Sequence, residues 1–348
     1  MRICLNNGFL RDVRATILAL AGVISLTAEI SAGVVNVYSH RHYEVDKRLN
    51  VLFQEKTGIQ VKLVNADADQ LIERMKSEGT ACPADVLVTV DAGQMQRAKA
   101  ESMLQTLESE LARKVVPAAL GDPDWQWVPY TVRARVIMAA KDRVAEGEIT
   151  RYEDLADPKW RGRILVRSST SGYNQSLLAS LLIANGEVEA EKWARGVVAN
   201  MARPPQGGDR DQIKAVASGL ADVCISNSYY LGILLASSDP AEKSAGESVR
   251  VIFPNSGDRG THCNVSAAAV AKNAPNPDAA KAYIEFLLSP EAQNLLANGS
   301  YEHPITLDHT LNPLHQAWGN FKPDITTFSK LGANHAAAIR IFDAAGWK

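Results

Sequence analysis

Residues 34–64 read VVNVYSHRHYEVDKRLNVLFQEKTGIQVKLV. Val34 to Tyr38 has strand length and β-branched content. Val45, Leu49, Leu52 and Phe53 then recur at helical spacing, and Gly58 stops that helix before a second strand at Ile59 to Val64. The next stretch repeats the order: Asp69 leads a helix with Leu71, Ile72 and Met75 on one face, Asp85 to Val90 forms a strand, and Asp91 caps another helix. Such β-α-β repetition implies a parallel sheet covered by helices on both faces.

Trp127 to Ala139 reads as extended, and a second set of elements follows it. This set holds strand Ile164 to Val166, helices over Tyr173 to Ala184 and Val188 to Asn200, and strand Val223 to Ser226. A helix from Tyr229, strands Val249 to Phe253 and Val265 to Val270, and helices Pro277 to Leu288 and Pro290 to Ala297 complete it. Two α/β units of similar size joined by extended crossings put the natural site in the cleft between them.

The chain has 348 residues, 46% of them apolar, which suits two domains with buried cores. Its 37 basic and 39 acidic side chains leave a formal charge of −2, so there is no basic excess with which to neutralise a nucleic acid. Arg2, Arg11 and Arg14 precede an apolar stretch from Ala15 to Leu26, followed by small residues at Ala28, Ser31 and Ala32. That order is the pattern of a secretory signal peptide over residues 1–32, too short for a membrane span, and predicts a soluble exported protein without stable membrane insertion. Cys4 falls in the leader. Cys82, Cys224 and Cys263 remain, an odd number with no C-x-x-C spacing, and are expected as small buried residues.

Motifs for nucleophilic, zinc-protease or phosphate-cradling chemistry are missing, so no catalytic residue is assigned and an enzyme is not expected. His40 and His42 form an H-x-H that could open a zinc site, but a third ligand such as His262 or His303 would have to come from far along the chain. The tyrosines are more informative. Of nine, Tyr43 follows the first strand, Tyr173 enters a helix, and the adjacent Tyr229 and Tyr230 follow a strand, all at element ends that face a cleft in such folds. Neighbouring helical side chains diverge by about 100°, so Tyr229 and Tyr230 cannot both enter one core.

The stretches Tyr38-Ser39-His40-Arg41-His42-Tyr43, Pro83-Ala84-Asp85-Val86-Leu87, Tyr152-Glu153-Asp154-Leu155 through Gly162, Tyr173-Asn174-Gln175-Ser176, Asn227-Ser228-Tyr229-Tyr230 and Gly260-Thr261-His262 run in order over nearly all of the mature chain. Together they resemble the ferric-iron-binding periplasmic proteins of ABC iron importers, in their tyrosine-rich branch. The resemblance implies an α/β, two-lobed periplasmic binding protein of type II, transferrin-like, each lobe a mixed sheet flanked by helices. It places the N-terminal lobe at 33–131 plus 256–306 and the C-terminal lobe at 132–255 plus 307–348. It further implies Fe3+ as the ligand, carried by His42, Tyr43, Tyr173, Tyr229 and Tyr230. Arg133, preferred over Arg135, is the implied cationic neighbour or carbonate partner, and carbonate or water the implied completing ligand. A monomer that serves an ABC transporter permease and ATPase complex follows from the same resemblance. Two positions depart from the family: His40 stands where serine is expected, and Gly172 where a larger residue is common.

The chemistry points the same way. A phenol titrates near 10, so holding one as phenolate at pH 7 costs about 4 kcal/mol, and four cost about 16. A hard trivalent ion offsets that cost, whereas zinc and copper favour imidazole or thiolate. Two other readings remain open from the sequence. The same scaffold could hold a small anion, with Ser168, Ser169, Thr170 and Ser171 at a helix N-terminus, or His40 and His42 could serve a zinc-dependent hydrolase.

Overall fold

The computed structural model describes residues 33–306, 311–325 and 330–348. Residues 1–32, where the export leader is expected, lie outside the described residues.

The strands are β1 (Val34–Ser39), β2 (Gln60–Asn65), β3 (Val86–Thr89), β4 (Leu104–Gln105), β5 (Val128–Ala140), β6 (Ile164–Leu165), β7 (Val223–Asn227), β8 (Val249–Ile252), β9 (Cys263–Ala271) and β10 (His303–Pro304). Around them lie α1 (Glu44–Thr57), α2 (Ala68–Glu78), α3 (Ala92–Ala100), α4 (Glu110–Val115), α5 (Gly172–Asn185), α6 (Glu187–Asn200) and α7 (Asp209–Ala217). The last six helices are α8 (Ser228–Leu235), α9 (Pro240–Glu247), α10 (Pro277–Leu287), α11 (Pro290–Gly299), α12 (Pro313–Trp318) and α13 (Leu331–Ala345).

Hydrogen-bonded neighbours run β2-β1-β3-β9-β5-β7-β6, with β4 on β9 and both β8 and β10 on β5. The expected parallel pairing holds for β1 with β2, β1 with β3 and β6 with β7. It fails at β9, which runs antiparallel to β3 and β5, and at β5, which runs antiparallel to β7 and β8. β9 comes back from the far part of the chain, so no helical crossover forces it to run with β3. The sheet is mixed, as the family resemblance implied.

β5 is the hub of the fold. All 13 of its residues are buried, and it changes partners midway, pairing with β9 as far as Ala134 and with β7 from Arg135 onward. A 13-residue strand without polar alternation is what burial on both faces produces. Arg133 and Arg135, two apart, share one face of it at this change of partner. One apolar core surrounds the first set of elements, including Val35, Leu49, Phe53, Leu71 and Ile284. A second gathers Ile137, Trp160, Leu178, Trp193, Ile225 and the C-terminal Phe342 and Trp347.

Several helices lie outside the sequence reading, α13 being the longest. Its alanine-rich stretch carries a thin apolar stripe, yet Leu331, Ala338, Ile341, Phe342 and Ala345 are buried. The chain end then braces the entry to α5: Trp347 Nε1 donates to the Arg167 carbonyl at 2.9 Å, and Ser169 N–H donates to the Lys348 carbonyl at 3.2 Å. Cys82, Cys224 and Cys263 are buried and unpaired, as expected.

Candidate metal centre

The four tyrosines singled out from the sequence all stand at helix starts. Tyr43 is the N-cap of α1, Tyr173 follows Gly172 at the start of α5, and Tyr229 and Tyr230 follow Ser228 at the start of α8. Side chains in a helix lean toward its N-terminus, so residues of a first turn project past the helix end, where the partial positive charge favours anionic oxygen. The local sequence sets these ends. Tyr43 N–H donates to Asp46 Oδ2 at 2.9 Å, and Asn65 Nδ2 ties the preceding turn by donating to the Ser39 and Arg41 carbonyls at 3.0 and 2.6 Å.

Three of the phenols form one group. The Tyr173 and Tyr229 hydroxyl oxygens are 3.3 Å apart, and the rings of Tyr229 and Tyr230 lie 4.2 Å between centroids. Adjacent positions on a helix are expected to send the two side chains apart; their rings lie against each other instead, Tyr229 buried and Tyr230 half-buried. Burial, then the charge an ionised Tyr173 would carry, pushes Tyr43 and Tyr229 well above the usual phenol range and pushes Tyr230 up to about 12. Tyr43, from the other side, therefore belongs to the same electrostatic group. Without a cation Tyr43, Tyr229 and Tyr230 keep their protons at neutral pH.

Guanidiniums surround the group. Those of Arg167, Arg135 and Arg133 lie 5.5, 5.7 and 5.9 Å from the Tyr173 ring centre, and that of Arg41 lies 4.7 Å from the Tyr43 ring centre. Arg133 is buried. Its Nη2 donates to the Val90 and Val265 carbonyls, while no acceptor among the described residues meets Nε or Nη1. Arg135 is held by Asp209 at 2.7 Å and by Asn174 at 2.7 Å, and Asp209 also takes Arg167 at 3.1 Å. A small cavity lined by Arg133, Arg135, Tyr173, Ser176, Asn227, His262 and Asn264 adjoins the phenols. Sequence reasoning found Arg133 and Arg135 but missed Arg41, Arg167, Asp209 and Glu302 as parts of the site. Arg41 had one local signal, its place between two histidines before Tyr43. The others come from distant segments and had none.

His42 is exposed, its ring stacked on Tyr43 at 5.6 Å between centroids, with Nδ1 3.3 Å from the His40 carbonyl oxygen. His40 turns instead to Gln94, with Nδ1 3.3 Å from Oε1. His262 and His303 are buried, His262 in the wall of the small cavity with Nε2 3.1 Å from Ser176 Oγ and His303 with Nε2 3.3 Å from Ser228 Oγ. Among the described residues no group of three or more His, Cys, Asp or Glu side chains is placed to hold a metal, so the H-x-H lacks its zinc partners. Of the hydroxyls considered for an anion, Ser168 Oγ is 3.0 Å from Thr170 Oγ1 and accepts from the Thr170 N–H at 3.2 Å, which occupies both in the turn itself.

Comparison with known proteins fits this architecture. Residues 82–322 match the bacterial extracellular solute-binding protein family. Iron uptake protein A1 of Synechocystis is 49% identical over 314 residues, 90% of this chain and 87% of that protein. The major ferric iron-binding protein of Neisseria meningitidis is 29% identical over 338 residues, 95% of this chain and 94% of that protein. A Trichodesmium protein solved with iron and citrate superposes with a TM-score of 0.86 at 46% identity, covering 91% of this chain and all of that one. A mixed sheet of this topology, phenols at three helix starts and similarity over nine-tenths of the sequence lead to one conclusion: the chain belongs to the bacterial extracellular solute-binding proteins.

Proposed function

We propose that this chain captures ferric iron in the periplasm and presents it to an ABC transporter permease and ATPase complex, changing the position of the ion and not its bonding partners by catalysis. The observation that carries this reading is the contact of Tyr173 with Tyr229 and of Tyr229 with Tyr230 at two helix starts, with Tyr43 at a third coupled to them electrostatically and guanidiniums beside Tyr43 and Tyr173. Tyr43, Tyr173, Tyr229 and Tyr230 are the ligands in this reading, with His42 at the solvent margin and water or carbonate completing the sphere.

Neutral phenols are poor ligands, and burial makes Tyr43, Tyr229 and Tyr230 harder to ionise still. Only an ion of high charge that prefers anionic oxygen offsets the loss of their protons. Four phenolates around a trivalent ion carry one net negative charge. A guanidinium that stays protonated at any physiological pH compensates it, and Arg133, buried with two nitrogens unoccupied, is placed for that. Fitting the same reading, the lobes are 33–131 plus 256–306 and 132–255 plus 307–348. Tyr43 then belongs to the first and the other three tyrosines to the second, so that binding draws the lobes together. The relatives named for iron and the family's extracellular role support the reading.

Elemental analysis with a visible spectrum after ferric citrate addition tests it. One iron per chain with an orange to red phenolate charge-transfer band is expected. A colourless protein that retains a metal-free anion would replace this reading.

A further inference from the structure

Resting on the ferric reading, we propose that Glu302 is a positioning residue of the site. Its buried carboxylate is shared by Arg41 and Arg133 and sets the guanidinium against Tyr43 and the guanidinium beside Tyr173 at a fixed separation. Glu302 is 1% exposed and stands just before β10, far along the chain from both arginines. Arg41 Nη1 lies 2.9 Å from Oε2 and 3.0 Å from Oε1, while Arg133 Nε lies 3.7 Å from Oε1. Thr131 Oγ1 donates to Oε1 at 3.3 Å and Ser300 Oγ to Oε2 at 2.9 Å, so the carboxylate cannot swing toward either partner.

The two arginines use it differently. Arg41 is further held by Asp46 at 2.9 Å and Ser266 at 2.6 Å, and its charge is neutralised locally. Arg133 has only the longer contact to Glu302 and two carbonyls, which leaves most of its charge for the phenols. The carboxylate therefore tethers Arg133 without cancelling it. The flanking residues reach toward α8. Tyr301 packs its ring against Gly232 of α8, where a Cβ would meet Tyr301 Cγ at 2.5 Å, and His303 Nε2 is 3.3 Å from Ser228 Oγ, one residue before Tyr229. Residues 301–303 thus touch the supports of Tyr43, Tyr173 and the tyrosine pair together.

The test is a double-mutant cycle on ferric affinity, read by citrate competition, with the charge-transfer band recorded for each protein. Glu302→Gln is expected to weaken binding about 10- to 100-fold, the usual size for a partner behind a ligand shell, and to shift the band. In an Arg133→Gln background the same change should cost less than about twofold, because the charge that remains, Arg41, is still held by Asp46 and Ser266. Equal losses in both backgrounds would mean that Glu302 only supports the fold, and would overturn the proposal. Glu302→Asp, which keeps the charge but shortens its reach, is run through the same cycle so that a glutamine variant that does not fold leaves the question answerable; a smaller loss than for glutamine is expected. If the unmodified protein takes up no ferric ion, the functional reading fails by itself. The tether is then read in the iron-free protein from the crystal structure of Glu302→Gln, in which the Arg133 guanidinium should leave its place beside Tyr173; an unmoved guanidinium would overturn it.

Discussion

One part of the site has a single phenol, Tyr43, at the end of a turn in which Ser39 and Arg41 are buried and His42 is exposed. In the other, the rings of Tyr229 and Tyr230 pack together and the Tyr229 hydroxyl meets that of Tyr173, at the heads of two helices. The Tyr43 side is ordered by charge: buried Arg41 lies against the ring and is gripped by Asp46 and Glu302. The three-tyrosine side is ordered by packing, with the Arg135–Asp209–Arg167 network behind it. A lone phenol at a helix start needs an external brace. On the packed side the Tyr173–Tyr229 and Tyr229–Tyr230 contacts are the brace, and burial with neighbouring charge raises the resistance of Tyr229 and Tyr230 to ionisation.

If that contrast is right, the largest loss follows from breaking the packed side. Tyr229→Phe combined with Tyr230→Phe should reduce ferric affinity by more than about 10⁴-fold, taking at least a hundredfold for each phenol as above the 10- to 100-fold of an outer partner. A double variant that still holds iron with its colour would sink the ligand assignment. Tyr43→Phe comes next, with a loss of about a hundredfold or more in the same competition assay. It should leave the band in place, because three phenolates remain; loss of all colour would mean that the braced side dominates.

Proton release sharpens the comparison further. Burial holds Tyr43, Tyr229 and Tyr230 above the usual phenol range, so these three are protonated in the iron-free site at neutral pH and each must give up a proton to bind. Affinity therefore falls as pH falls, by about tenfold per pH unit for each proton released. Proton counting during loading should show one proton fewer for Tyr43→Phe than for the unmodified chain. An unchanged count would place Tyr43 outside the sphere. Arg133→Ala is expected to weaken binding about 10- to 100-fold without abolishing colour. The smallest effect, a few-fold at most, is expected for His42→Ala, because that ring is exposed and needs no desolvation to leave; a loss matching that of Tyr43→Phe would make it a full ligand.

Much of the first half of the fold was legible because its signals are local. Asp91 caps α3, its side chain accepting from Gly93 N–H at 2.7 Å, and Gly58 ends α1 in the left-handed region at φ 71°, both as the residue types foretell. The antiparallel course of β9 was not legible, since strand direction depends on how the chain returns and not on which residues it carries. α13 was missed because small residues dilute its apolar stripe until Phe342 and Trp347 meet Trp193 in the second core.

The site divides in the same way. Sequence alone placed Tyr43, Tyr173, Tyr229 and Tyr230 at element boundaries, because caps, turns and periodicity are properties of a few consecutive residues. Tertiary structure alone decided that Glu302 would join Arg41 to Arg133, and that Asp209 would join Arg135 to Arg167. Burial and Coulomb energy depend on separation in space. Residues from 42 to 261 positions apart can share one charge only once the fold has brought their elements together.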